Sequence, residues 1–110
     1  MIHKEVHDHQ GETVMAVTFT LPSSLWVDHI HLVGDFNDWS HHSHPLQQDR
    51  SGSWTTTVPL EMSRAYQFRY LIDNHQWTND DNADAYVRNI YGTDNFVVFT
   101  DINFQKYNGE

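Results

Sequence analysis

Alternation with a period of two residues runs through most of the chain. Residues 14–21 (VMAVTFTL) put Met15, Val17, Phe19 and Leu21 on one parity, the pattern of a strand with one buried face, and Pro22 with the serines after it ends the run. Residues 28–34 (DHIHLVG) alternate His29 and His31 with Ile30 and Leu32 and lead into the turn-rich stretch Gly34-Asp-Phe-Asn-Asp-Trp39. A turn there lifts Trp39 off the sheet. After a polar segment, Trp54, Thr56, Val58 and Leu60 alternate with Ser53, Thr55 and Thr57, which predicts a third strand with Trp54 in the core.

The clearest alternation is residues 65–73 (AYQFRYLID), with Tyr66, Phe68, Tyr70 and Ile72 on one face and Gln67, Arg69, Leu71 and Asp73 on the other. Arg69 therefore points to solvent. Asp73-Asn-His reads as a turn into Gln76-Trp77-Thr78, followed by a loop over residues 79–89, a Tyr91-Gly-Thr-Asp94 turn and a final strand over residues 95–100. Short strands separated by Gly, Pro, Asn and Asp turns predict an all-β, antiparallel sandwich of immunoglobulin-like architecture, without the Cys-Trp-Cys pattern of antibody domains. Residues 1–12 are polar, His-rich and aperiodic, which predicts a flexible N-terminal arm ahead of one domain over residues 13–103, with a tail at 104–110.

Composition narrows the function classes. Fifteen acidic against six basic residues give a formal charge of −9, unfavourable for binding nucleic acid or an anionic membrane surface. The nine histidines are enough to cancel that charge once they are protonated, below a pKa of about 6.5. With no cysteine, disulfides, thiolate metal sites and cysteine nucleophiles are excluded. Neither a secretory leader nor a membrane span is apparent in the sequence, so the expectation is a cytoplasmic protein.

A sugar ring offers flat C–H faces and a rim of hydroxyls, so a sugar site needs exposed aromatic planes beside forked polar side chains. Trp39 and Trp77 lie in turns, Tyr91, Thr93 and Asn95 cluster after the long loop, and Arg69 projects outward from the neighbouring strand. The bland alternative is that each tryptophan packs on its own hairpin. A glycosidase reading would start from the carboxylates Asp80, Asp81 and Asp84, since that chemistry needs two acids about 5–9.5 Å apart across the bond, and a solvated loop is the commoner fate of such a run. Residues 80–91 echo a calcium loop only faintly, with Ala85 at its sixth position and Tyr91 at its twelfth. His41, His42 and His44 with His3, His7 or His9 suggest adventitious metal capture at most. No catalytic residue, resident metal or cofactor is expected.

The runs 31–40 (HLVGDFNDWS), 66–73 (YQFRYLID), 76–80 (QWTND), 83–87 (ADAYV) and 91–98 (YGTDNFVV) together resemble the family 48 carbohydrate-binding module. That family includes the glycogen-binding domain of the AMP-activated protein kinase beta subunit and the N-terminal domains of isoamylases and branching enzymes. The likeness extends over residues 13–100 and is nearest to short bacterial proteins made of this module alone. It implies a non-catalytic module for α-glucan, whether glycogen, starch or maltodextrin. The family's stacking tryptophans fall on Trp39 and Trp77, its basic hydrogen-bonding residue on Arg69, its hydroxyl and amide contacts on Thr93 and Asn95, and its aliphatic wedge on Tyr91. Arg69 replaces a lysine, which keeps the charge and changes the fork, and the Asp73-to-Trp77 turn is one residue longer than in the kinase module. The competing expectation is a docking module that partners a glycogen-metabolising enzyme and has little sugar affinity, because a fold alone does not fix a function.

Overall fold

Where hydrophobic residues alternate, the computed structural model has strands; it describes residues 2–22, 27–74, 76–78 and 83–101. The strands are β1 (Ile2–His9), β2 (Glu12–Leu21), β3 (Ile30–Gly34), β4 (Gln47–Gln48), β5 (Trp54–Glu61), β6 (Ala65–Ile72), β7 (Gln76–Thr78), β8 (Ala85–Arg88) and β9 (Asp94–Phe99), with a single 3-10 turn at Asp35–Asn37. One sheet has the order β1-β2-β5-β4 and the other β3-β6-β9-β8, with β7 also paired to β6, and every pairing is antiparallel. The fold is an all-β sandwich.

The inward parities pack against one another between the sheets. Met15, Val17, Phe19 and Leu21 of β2 and Trp54, Val58 and Leu60 of β5 face Ile30 and Leu32 of β3, Phe68, Tyr70 and Ile72 of β6, and Phe96 and Val98 of β9. Phe19 lies at the centre, 5.0 Å edge-on from Phe68 and 6.5 Å from Tyr70, geometries that aromatic quadrupoles favour. Trp54 is buried, as its parity predicts.

Two expectations are corrected. Residues Ile2–His9 are not a loose arm: they form β1, paired residue for residue with β2 from Ile2↔Phe19 to His9↔Glu12. The hairpin turns on Gln10 and Gly11, both at positive φ (52° and 85°), the backbone that two-residue β-turns require. An edge strand needs ladder hydrogen bonds rather than a hydrophobic face, so its alternating charge hid it. The expected loop at 79–89 contains β8, paired with β9 from Ala85↔Val97 to Arg88↔Asp94. Residues 79–82, and with them Asp80 and Asp81, lie outside the described residues, as does the expected tail at 104–110.

Lys4 of β1 reaches the other sheet, its Nζ 2.6 Å from Asp84 Oδ2, which also accepts the Phe99 backbone N–H at 2.8 Å. Asp84 is therefore an internal clip between the layers, its side chain only 8% exposed.

Candidate functional site

The outer face of the second sheet carries the polar parity of β6. Strand β6 is flanked on one side by β3 along its far half, and on the other by β9 at residues 65–68 and by β7 at residues 70–72. Arg69 sits at the junction of the β9 and β7 segments, so one side chain lies between two separate hairpins. An open depression of about 480 Å³ forms there, lined by Trp39, His41, Arg69, Trp77, Asn89, Tyr91 and Asn95.

Trp39 comes from the turn after β3. Asn37 builds that turn: its Oδ1 accepts the Gly34 N–H at 3.0 Å, and its Nδ2 donates to the Leu32 carbonyl and to His44 Nδ1, both at 3.0 Å. Asn37 is thus a scaffold residue. The Trp39 backbone N–H donates to the Gly34 carbonyl at 2.9 Å and its indole Nε1–H to Asp35 Oδ1 at 3.1 Å. With that proton taken, Trp39 offers a plane and no donor.

Trp77 enters through the β6–β7 turn, where Asp73 and Asn74 both have positive φ, 52° and 64°. Asp73 Oδ1 accepts the backbone N–H groups of Asp28 and His29, each at 2.9 Å, which ties this turn to the approach to β3. The Arg69 guanidinium carbon lies 5.0 Å from the Trp77 ring centroid, a cation–π contact worth about 0.5–1 kcal/mol at a partly wet site. Burial pulls the Arg69 pKa below its ordinary value, and Asp94 opposes the shift. Arg69 Nε has no hydrogen-bond partner among the described residues. His41 meets Trp77 edge-on at 5.5 Å.

The opposite rim is the β8–β9 hairpin, organised by Asn89. Its Oδ1 accepts the Tyr91 N–H at 2.9 Å and the Thr93 N–H at 3.3 Å, while its Nδ2 donates to Thr93 Oγ1 at 2.8 Å and to Asn95 Oδ1 at 3.1 Å. Asn95 Nδ2 in turn donates to Gln67 Oε1 at 3.0 Å. Tyr91 projects from the tip, 84% exposed.

Five of the six residues singled out from the sequence, Trp39, Arg69, Trp77, Tyr91 and Asn95, therefore line one depression. Thr93 does not line it and buttresses Asn89 instead. His41 and Asn89 are additional lining residues. For Asn89 a signal exists, since asparagine opening a turn commonly bonds the backbone two residues on; for His41, in a run of histidines, there is none. Among the described residues no three histidines or carboxylates converge as metal ligands.

The sequence model of carbohydrate-binding module 48 (isoamylase N-terminal domain) matches residues 23–87, more than half of the chain. The protein belongs to this family. Similar proteins are the 1,4-alpha-glucan-branching enzyme of Dictyostelium discoideum, 50% identical over 30 residues (27% of this chain and 4% of the enzyme), and the 1,4-alpha-glucan branching enzyme GlgB of Deinococcus radiodurans, 45% identical over 42 residues (37% and 6%). GlgB of Novosphingobium aromaticivorans is 32% identical over 66 residues, 58% of this chain and 9% of the enzyme. The chain thus matches less than a tenth of the length of each of these relatives. In this member, the residues that motif likeness assigns to sugar contact lie on the outer face of the second sheet and in the turns that border it.

Proposed function

We propose that this carbohydrate-binding module binds an α-1,4-glucan chain, without catalysis, in the depression between Trp39, Trp77 and the β8–β9 hairpin. The observation that carries the reading is the convergence of Trp39, Trp77, Arg69, Tyr91 and Asn95, from separate turns and strands, on one open site. The branching-enzyme relatives, named for 1,4-alpha-glucan, favour that polymer over other sugars. Trp39 and Trp77 stack on successive glucose units, Arg69 and Asn95 bond the rim hydroxyls, and Tyr91 presses on the chain from the hairpin tip. Thr93 acts through Asn89.

Each hydrogen bond to sugar replaces one to water and nets about 1 kcal/mol or less, so single-site affinity falls in the micromolar to millimolar range, roughly −8 to −4 kcal/mol. A polymer compensates by presenting many copies of the ligand. The clip made by Asp84 removes it from any reacting pair, which supports a binding role. A companion enzyme acting on the same polymer is the natural partner.

Titration with maltoheptaose or β-cyclodextrin, followed by tryptophan fluorescence, tests this reading. The parent protein is expected to give a saturable change below about 10 mM, and Trp39→Ala and Trp77→Ala each to weaken it about five- to tenfold, consistent with about 1–1.5 kcal/mol for one stacked ring. No saturable change in the parent at millimolar sugar overturns the glucan assignment and favours the docking role.

A further inference from the structure

The tryptophan at position 39 has φ of +58° and follows Asp38 at +54°. A bulky side chain rarely adopts that region, and such strain persists only where the surroundings hold it. Two residues do so. Asn37 fixes the backbone of the turn, through the Gly34 N–H and the Leu32 carbonyl. Asp35 fixes the side chain: Oδ1 accepts the indole N–H at 3.1 Å while Oδ2 accepts the Gln67 backbone N–H of β6 at 2.7 Å. One carboxylate therefore bolts the Trp39 ring to the strand that also carries Arg69.

Gln67 then continues the connection with its side chain. Its Oε1 accepts from Asn95 Nδ2 at 3.0 Å, and Asn95 Oδ1 accepts from Asn89 Nδ2 at 3.1 Å. An unbroken row of polar contacts runs from the Trp39 indole through Asp35, Gln67 and Asn95 to Asn89. Neither Asp35 nor Gln67 lines the depression.

We propose that Asp35 is a positioning residue for the sugar site, clamping Trp39 in its left-handed conformation against Gln67, with the Gln67 side chain setting the facing amide of Asn95. The proposal rests on the glucan reading for its purpose, but the clamp has its own readout. A ring held by its indole N–H loses less entropy on stacking than an unheld one, so the clamp raises affinity without touching sugar. An indole N–H committed to a carboxylate is also protected from exchange in the free protein.

The experiment pairs proton NMR of the Trp39 Nε1–H in sugar-free protein with β-cyclodextrin titration. Asp35→Ala is expected to speed exchange of that proton at least about tenfold and to weaken cyclodextrin binding about tenfold, a shift of the size one lost charge-assisted bond produces, while β2–β5 amides stay protected. Asp35→Asn, which can accept only one of the two bonds, falls between parent and alanine. Asp38→Asn removes the same charge from the same turn and leaves both readouts as in the parent. Gln67→Ala keeps its backbone bond to Asp35, so it shifts the Asn95 and Asn89 side-chain amide signals and leaves the Trp39 indole unmoved. If Asp35→Ala leaves indole exchange unchanged, or if the parent binds cyclodextrin and the variant binds it equally well, the clamp is overturned. A parent that binds no cyclodextrin yet shows the expected indole protection, lost in Asp35→Ala, sinks the glucan reading and supports the clamp.

Discussion

At position 39 the backbone pays a steric cost for the placement of a ring. The left-handed region brings Cβ against the following carbonyl, at about 1–2 kcal/mol for a non-glycine residue, and glycine is free of that clash. Trp39→Gly is therefore expected to unfold at higher urea than Trp39→Ala, by about 1 kcal/mol after the loss of unfolded-state restriction is counted, although both abolish stacking. Equal midpoints, or a more stable alanine variant, contradict the strain assignment. Turn-borne tryptophans and an outward arginine could be read from the chain because turn chemistry and strand parity are local. The Trp39–Asp35 contact spans only four residues and is still not legible in the sequence, because nothing in the spelling Gly34-Asp-Phe-Asn-Asp-Trp39 says which aspartate faces the indole. Asn89 is legible as a turn-forming asparagine, but its side-chain partners Thr93 and Asn95 become its neighbours only once β8 and β9 form a hairpin.

Among the elements, β3 packs tightly against β6 at Gly34. A Cβ there would lie 2.5 Å from the Gln67 carbonyl oxygen and 2.9 Å from Phe68 Cβ. Its φ of −172° is ordinary extended backbone, so space rather than torsion demands glycine. Gly34→Ala is expected to push β3 off β6 at a cost of about 1–3 kcal/mol, and to carry the Trp39 turn with it. Thermal or urea unfolding measures the first, and loss of cyclodextrin quenching the second; a variant within about 0.5 kcal/mol of the parent, the range of neutral surface changes, shows that the contact is not tight. Strands with a hydrophobic face were legible in the sequence: β2, β3, β5, β6 and β9 lie where alternation predicts them, to within two residues at either end. Strands β1, β4 and β8 were not, because all three lie at a sheet margin and their residues are mostly exposed. Such strands are specified by their partners' ladders.

Taken whole, the molecule is acidic and rich in histidine, and His31, Glu5 and Asp49 each lower its stability as the solution is acidified. Burial holds the His31 pKa below 6.5, reinforced by His42, His29 and His41 nearby. The unfolded chain then binds a proton more readily than the native one, so His31 contributes stability that is complete above about pH 6.5 and is lost as pH falls toward its lower native pKa. Glu5, held down by hydrogen bonds from His3 and then His7, and Asp49, held down first by Ser51, act in the same sense at lower pH. The thermal midpoint is expected to fall between about pH 7 and 5.5, with a shallower slope in His31→Asn; a flat parent profile, or parallel slopes, excludes the assignment. Sandwich architecture at this scale followed from alternation and turn spacing alone. The ligand class did not, since geometry supplies an aromatic, forked polar site and family likeness supplies the glucan.

The paired strand β1 also has a bearing on colloidal behaviour. Among the described residues it forms one margin of the first sheet. Free edges recruit strands from other molecules, and charge along the edge is the usual deterrent. Here His3, Glu5 and His7 are exposed on one face, both imidazoles 3.1 Å from the carboxylate between them, while Lys4 is turned inward to Asp84. The N-terminal hairpin thus covers the margin of the hydrophobic β2 with a polar border of His3, Glu5 and His7, the kind of margin that resists pairing with a second copy.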